Sequence, residues 1–179
     1  MKLICIRHTK VAFPAGICYG QADVPLAESY PAERLAVLHQ LPDVEFDGVF
    51  SSPLIRCRSL AEDLFLGHDI NFDDRLKELD FGDWEQQSWD AIFQTDEGKR
   101  WMKSYLEASC PNGESYLEFR QRVVSFFNEL KAKSFDQVAI VTHGGVIRLV
   151  KSILDGMMMD DVFATFNPEY GRIYEFELS

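Results

Sequence analysis

Apolar residues along this chain fall into two kinds of run. Leu3 to Ile6 is a short, continuous apolar stretch ending at Arg7-His8, and Val138 to Val141 repeats the arrangement, ending at Thr142-His143-Gly144-Gly145. Such runs are too brief for helices and fit buried strands, as does Gly48 to Ser51. The second kind has helical spacing. It covers Leu54 to Leu66, which follows Ser52-Pro53 and carries Arg56 in about its first turn, and Leu35 to Leu41. It also covers Tyr116 to Ala132, where Phe119, Val123, Phe126, Phe127 and Leu130 trace one face, and Val146 to Leu154, opened by Gly144-Gly145. Ile173 to Leu178 alternates apolar with polar residues, the pattern of a half-buried edge or final strand.

Strands alternating with helices predict an α/β protein with a mostly parallel sheet covered on both faces. Two buried strands then deliver His8 and His143 at their carboxyl ends, where open α/β sheets bind ligands. Residues 82–113 break the rhythm, with Trp84, Trp89, Phe93, Trp101 and Tyr105 set among charges, and are expected to form an excursion over the sheet's carboxyl edge. With no internal repeat, low-complexity tract or linker, residues 1–179 are expected to form a single domain.

Composition narrows the function classes. The chain is 46% hydrophobic and 26% charged, an ordinary globular balance, and its net charge of -11 disfavours nucleic acid and anionic membranes as partners. Any anionic substrate must therefore be held by a local cluster of arginines. Cys5, Cys18, Cys57 and Cys110 are widely spaced with no CxxC pair, which argues against a structural zinc site and a disulfide framework and for reduced thiols. No apolar run approaches the length of a bilayer span, and the opening segment breaks into charge too early for a signal peptide. A cytoplasmic location is expected; no pattern in the chain speaks to oligomeric state.

The chemistry-bearing residues point to phosphoryl transfer. In Arg7-His8 a guanidinium offers forked donors to phosphate oxygens, and a neutral imidazole nitrogen can attack phosphorus. Nearby arginines keep the imidazole neutral, provided its other nitrogen gives its proton to a fixed acceptor. The glycines after His143 allow close approach of a ligand, and the helix they open aims free N–H groups at an anion. Arg56 supplies a second phosphate fork. Glu78 supplies the carboxyl that an alkoxide leaving group needs, first to protonate the departing oxygen and then to activate water. Taken singly, each has a plainer reading: a histidine satisfying backbone groups at a tight turn, a solvated arginine, an exposed loop carboxylate.

Together they carry a resemblance. Arg7-His8-Thr9 resembles the Arg-His-Gly signature of the histidine phosphatase superfamily, Ser51-Ser52-Pro53-Leu54-Ile55-Arg56 its second motif, and Leu76 to Gly82 with Trp84-Glu85 its third. Pro111-Asn112-Gly113-Glu114-Ser115 and Val141-Thr142-His143-Gly144-Gly145 complete the order, so the likeness spans nearly the whole chain. It implies a three-layer, phosphoglycerate mutase-like α/β/α sandwich and a small-molecule phosphomonoester as substrate, with neither metal nor cofactor. It also implies His8 as nucleophile, Glu78 as proton donor and acceptor, and a phosphate pocket of Arg7, Arg56 and His143. Thr9 departs from the usual glycine, which is expected to alter the fit of substrates around the phosphate. That departure, with Gly16 to Leu26 (GICYGQADVPL), is similar to the α-ribazole phosphatases, which remove the 5'-phosphate of α-ribazole phosphate in cobalamin nucleotide-loop assembly.

Three other readings stand beside this one. A phosphoglycerate mutase uses the same phosphohistidine, although 179 residues leave little room for the added segments that close over its intermediate. A catalytically inactive phospholigand-binding module could dispense with His8 or Glu78, which are both present. A metallophosphatase built on His8 and His143 lacks carboxylate-rich ligand clusters. The charge of -11 favours a leaving group with no further anionic groups, and Trp84, Trp89 or Tyr105 are candidates to cover a flat ring.

Overall fold

The computed structural model describes residues 1–178. One sheet holds β1 (Lys2–Arg7), β2 (Gly48–Ser51), β3 (Ile70–Phe72), β4 (Gln137–Thr142) and β5 (Ile173–Glu177), in the order β3-β2-β4-β1-β5. The first four run parallel, and β5 lies antiparallel to β1 at one edge. Parallel strands covered on both faces have no wet side, which is why β1 and β4 read as unbroken apolar runs. Their period of two sorts residues between layers instead. Leu3, Cys5, Val138 and Ile140 face one buried cluster, while Ile4, Ile6, Ala139 and Val141 face another.

The second cluster is completed by Val37 of α1 (Tyr30–Leu38) and by Cys57, Leu60, Ala61 and Leu64 of α2 (Ile55–Leu64). The first is filled from α5 (Tyr116–Lys131), α6 (Gly144–Asp155) and α7 (Met159–Thr165), with Phe119, Val123, Phe126, Leu130, Val146, Ile147 and Leu149 at its centre. Each large side chain so buried contributes about 1.5–3 kcal/mol of transfer free energy. The outcome is an α/β/α sandwich. Helix ends follow local chemistry: Ser115 and Glu118 make a reciprocal capping box at the start of α5, and Gly156 ends α6 in the left-handed conformation, φ 65°.

The α1 helix covers Tyr30–Leu38 instead of Leu35 to Leu41. Pro31 sits in its first turn, where its missing N–H costs nothing, and Pro42 disfavours helical conformation at Leu41. The apolar spacing there misleads because Leu35 and Leu38 are exposed and only Val37 is buried. The sequence pattern did not announce β3 or α7: β3 has three residues, two of them exposed, and α7 has seven. Residues 82–113 contain a 3-10 turn at Gly82–Trp84, α3 (Trp89–Ile92) and α4 (Asp96–Ser104), the latter two capped by Ser88 and Thr95. They enclose a satellite cluster of Cys18, Trp84, Ile92 and Cys110, with Phe81, Trp89, Phe93 and Trp101 packed on it.

Candidate active site

Register brings three chain segments together at the carboxyl edge of the sheet. Arg7 pairs with Thr142, and Ser51 with Val141. One residue further on, His8 N–H donates to Thr142 O (3.0 Å) and Ser52 N–H to Val141 O (3.0 Å). His8, Ser52 and His143 therefore stand side by side just past their strands. The His8 and His143 rings meet edge to face at 5.2 Å, and His143 Nε2 shares a hydrogen bond with Ser52 Oγ (2.8 Å).

His8 is buried, and its Nδ1 lies 2.7 Å from Thr9 O. A carbonyl only accepts, so the proton resides on Nδ1 and the Nε2 lone pair is free. Burial, then the charges of Arg56 and Arg7, hold His8 well below the ordinary value of 6.5. His143 is held low by the same causes in the same order, with His8 adding to them. The sequence pointed to the arginines; the larger contribution of burial belongs to the fold.

Arg56, in the first turn of α2, is 1% exposed, which removes the reading of a solvated arginine. It donates to Gly20 O (2.5 Å) and Ala22 O (2.9 Å), while Arg7 donates to Pro168 O (2.5 Å). Arg7 Nε and Arg56 Nε are buried with no hydrogen-bond partner within the protein. Two guanidiniums anchored by backbone carbonyls and keeping uncommitted donors suit an oxyanion.

The glycines after His143 serve the protein's own charged groups. A Cβ on Gly144 would lie 3.3 Å from the Arg7 guanidinium, and one on Gly145 would lie 2.0 Å from Glu78 Oε1. Gly145 N–H donates to Glu78 Oε2 (2.9 Å), and Leu79 N–H to Oε1 (3.1 Å). The amino end of α6 thus holds the Glu78 carboxylate, an anion from within the chain, where the sequence led us to expect a ligand. Glu78 is not a free loop carboxylate.

These five residues line one cavity of about 650 Å³. It is also lined by aromatic side chains: Phe81, Trp89, Phe93, Trp101, Tyr105 and Phe163. Trp89 lies nearly parallel to Phe93 (23°) and to Trp101 (22°). Of the three aromatics considered from sequence, Trp89 and Tyr105 face the cavity, and Trp84 is buried in the satellite cluster. Thr9 is fully buried and not among the lining residues; its methyl lies 4.0 Å from a Cβ built on Gly171. Its side chain is therefore buried outside the lining of the cavity.

Several residues escaped the sequence reading. Tyr170 lies over the Arg7 guanidinium (3.7 Å to the ring centroid), and its hydroxyl meets that of Tyr19 at 2.6 Å, joining two loops across the site. Burial and the bond to Tyr170 raise the Tyr19 phenol, so it stays protonated. Tyr19 lies within the Gly16 to Leu26 segment, a signal that was present, whereas nothing marked Tyr170. Arg148, one turn into α6, also lines the cavity, bonded to Phe166 O (3.2 Å) and Asn167 Oδ1 (2.5 Å). It adds a cation to the cavity beyond Arg7 and Arg56, where the overall charge favoured a leaving group with no further anionic groups.

The chain belongs to the histidine phosphatase superfamily (branch 1), whose model matches residues 3–179. Its neighbours include α-ribazole phosphatases. Over 164 residues it is 31% identical to the adenosylcobalamin/α-ribazole phosphatase of Escherichia coli strain K12, covering 88% of this chain and 80% of that one. The crystal structure of the α-ribazole phosphatase from Shigella flexneri superposes with a TM-score of 0.91 at 27% identity, covering 100% of this chain and 91% of that one. A putative phosphoserine phosphatase 2 of Hydrogenobacter thermophilus is 25% identical over 167 residues, covering 90% and 82%.

Proposed function

We propose that this protein hydrolyses phosphomonoesters through a phosphohistidine on His8, and that its substrate is α-ribazole 5'-phosphate. The observation that carries the reading is a neutral His8, its Nε2 lone pair free, beside two anchored guanidiniums in a cavity otherwise lined largely by aromatic side chains. In the first step Nε2 attacks phosphorus, the P–O bond to the leaving group breaks, and Glu78 protonates the departing oxygen. In the second, Glu78 as carboxylate takes a proton from water, whose oxygen attacks phosphorus and releases His8. Arg7, Arg56 and His143 stabilise the charge spread over the transferred oxygens. The aromatic lining suits a flat, uncharged ring system, as in dimethylbenzimidazole, and the α-ribazole phosphatases among its relatives support that choice.

Arg148 favours a second reading, a broader phosphatase that also accepts esters carrying a carboxylate, because its guanidinium is bonded to neutral partners. Catalytic efficiency on α-ribazole 5'-phosphate, phosphoserine and 3-phosphoglycerate, with free phosphate as readout, decides between them. We expect the first to be preferred, acid-labile phosphate to be trapped on His8, and His8→Ala to lose both turnover and trapping. Substantial turnover by His8→Ala overturns the mechanism. Preference for a carboxylate-bearing ester overturns the substrate, and isomerised 3-phosphoglycerate without phosphate release identifies a mutase.

A further inference from the structure

The segment Pro111–Ser115 and Arg122 of α5 contribute nothing to the chemistry above, yet they grip the chain that carries Glu78. All five N–H groups of Arg122 are used. Nη1 donates to Arg75 O (2.9 Å) and Lys77 O (2.8 Å), and Nη2 to Glu78 O (2.7 Å). Nε and Nη2 make a fork on the Glu114 carboxylate (2.6 and 2.9 Å). Glu114 Oε2 in turn accepts Asp80 N–H (2.9 Å), and Asp80 O accepts Glu114 N–H (2.8 Å). The peptide units on both sides of Leu79 are thereby tied to one guanidinium–carboxylate pair.

Two glycines make this approach possible. A Cβ on Gly82 would lie 2.1 Å from Pro111 O, and one on Gly113 would lie 2.5 Å from Asp80 O, so the two backbones pack with no room for a side chain. Gly82 also requires its positive φ of 55°. The Arg122 guanidinium lies 4.8 Å from the Phe119 ring centroid, which fixes the clamp to the core face of α5.

We infer that this clamp sets the position of the Glu78 carboxyl, with Arg122 as a positioning residue for proton transfer; the inference rests on the acid role given to Glu78. A proton donor must lie within hydrogen-bond reach of the leaving oxygen, and a displacement of about 1 Å costs on the order of 10²-fold. The demand falls on a poor leaving group and spares a good one.

The test is single-turnover phosphorylation of His8 by an alkyl phosphate and by an aryl phosphate with a good leaving group. Arg122→Met keeps an apolar stem on Phe119 and removes every donor. We expect its alkyl-to-aryl rate ratio to fall roughly tenfold or more. Added to Glu78→Gln, it should lower that ratio no further, because both act on one proton transfer. Arg122→Lys, a point donor unable to serve three carbonyls and a carboxylate together, should give an intermediate ratio and decides the matter if the Met variant does not fold. A lower melting temperature with an unchanged ratio marks a merely structural arginine and overturns the inference. A changed ratio in Glu78→Gln alone overturns the clamp and leaves the acid role standing, whereas no change in Glu78→Gln overturns the acid role and the clamp with it.

Discussion

His8 and His143 show how burial sets the chemistry of single residues. Both are neutral in the fold because desolvation and two guanidiniums oppose a further positive charge. Their folded values lie well below the 6.5 of the unfolded chain, so below pH 6.5 the unfolded state binds protons that the folded state refuses. Stability is therefore fully present above 6.5 and declines as pH falls toward the folded values. We expect thermal melting measured between pH 8 and 5 to show this decline, and the His8→Asn variant to show a shallower one. An equally steep decline in that variant contradicts the assignment. Glu78 and Gly145 carry the complementary lesson: the missing side chain of one makes room for the carboxylate of the other.

Among the elements, α3, α4 and α7 supply much of the aromatic lining of the cavity. Trp89 and Phe93 come with α3, Trp101 with α4 and Phe163 with α7, while the Tyr105 hydroxyl donates to the Asp160 carboxylate and ties the end of α4 to α7. A flat ring bound along this lining gains from stacking as well as from burial. We expect Trp89→Ala to raise KM for α-ribazole 5'-phosphate by about tenfold, with KM for glycerol phosphate little changed. Equal changes for both esters would show that Trp89 supports the satellite cluster and does not contact the leaving group.

For the whole molecule, a net charge of -11 surrounds a site where Arg7, Arg56 and Arg148 converge on one cavity. The positive charge is local, as the overall balance requires for an anionic substrate. With the transferred phosphoryl group assigned to Arg7, Arg56 and His143, we expect exhaustive chelation to leave turnover unchanged. Loss of activity that a divalent cation restores would refute that assignment. Among the described residues, no helix is long and apolar enough to cross a membrane.

How much of this was legible in the chain depended on range. Central strands, the helices that cover them and the histidines at strand ends were readable, because covering both faces of β1 and β4 demands local apolar runs, and register then brings their ends together. Five spaced motifs pointed to His8, Glu78, Arg7, Arg56 and His143 without coordinates. Short elements were not readable: β3, α3 and α7 are each shorter than the window over which a period can be recognised. Nor were long-range pairings, such as Tyr19 with Tyr170, Arg122 with three backbone carbonyls, or Arg148 on the cavity wall. The sequence by itself determined the layered architecture and the candidate residue types that meet at the cavity, since periodicity and motif order are local properties. Tertiary structure alone decided which carboxylate occupies the amino end of α6, which aromatics face the cavity and how deeply the histidines are desolvated. Those depend on distances between residues far apart in the chain, which no local pattern encodes.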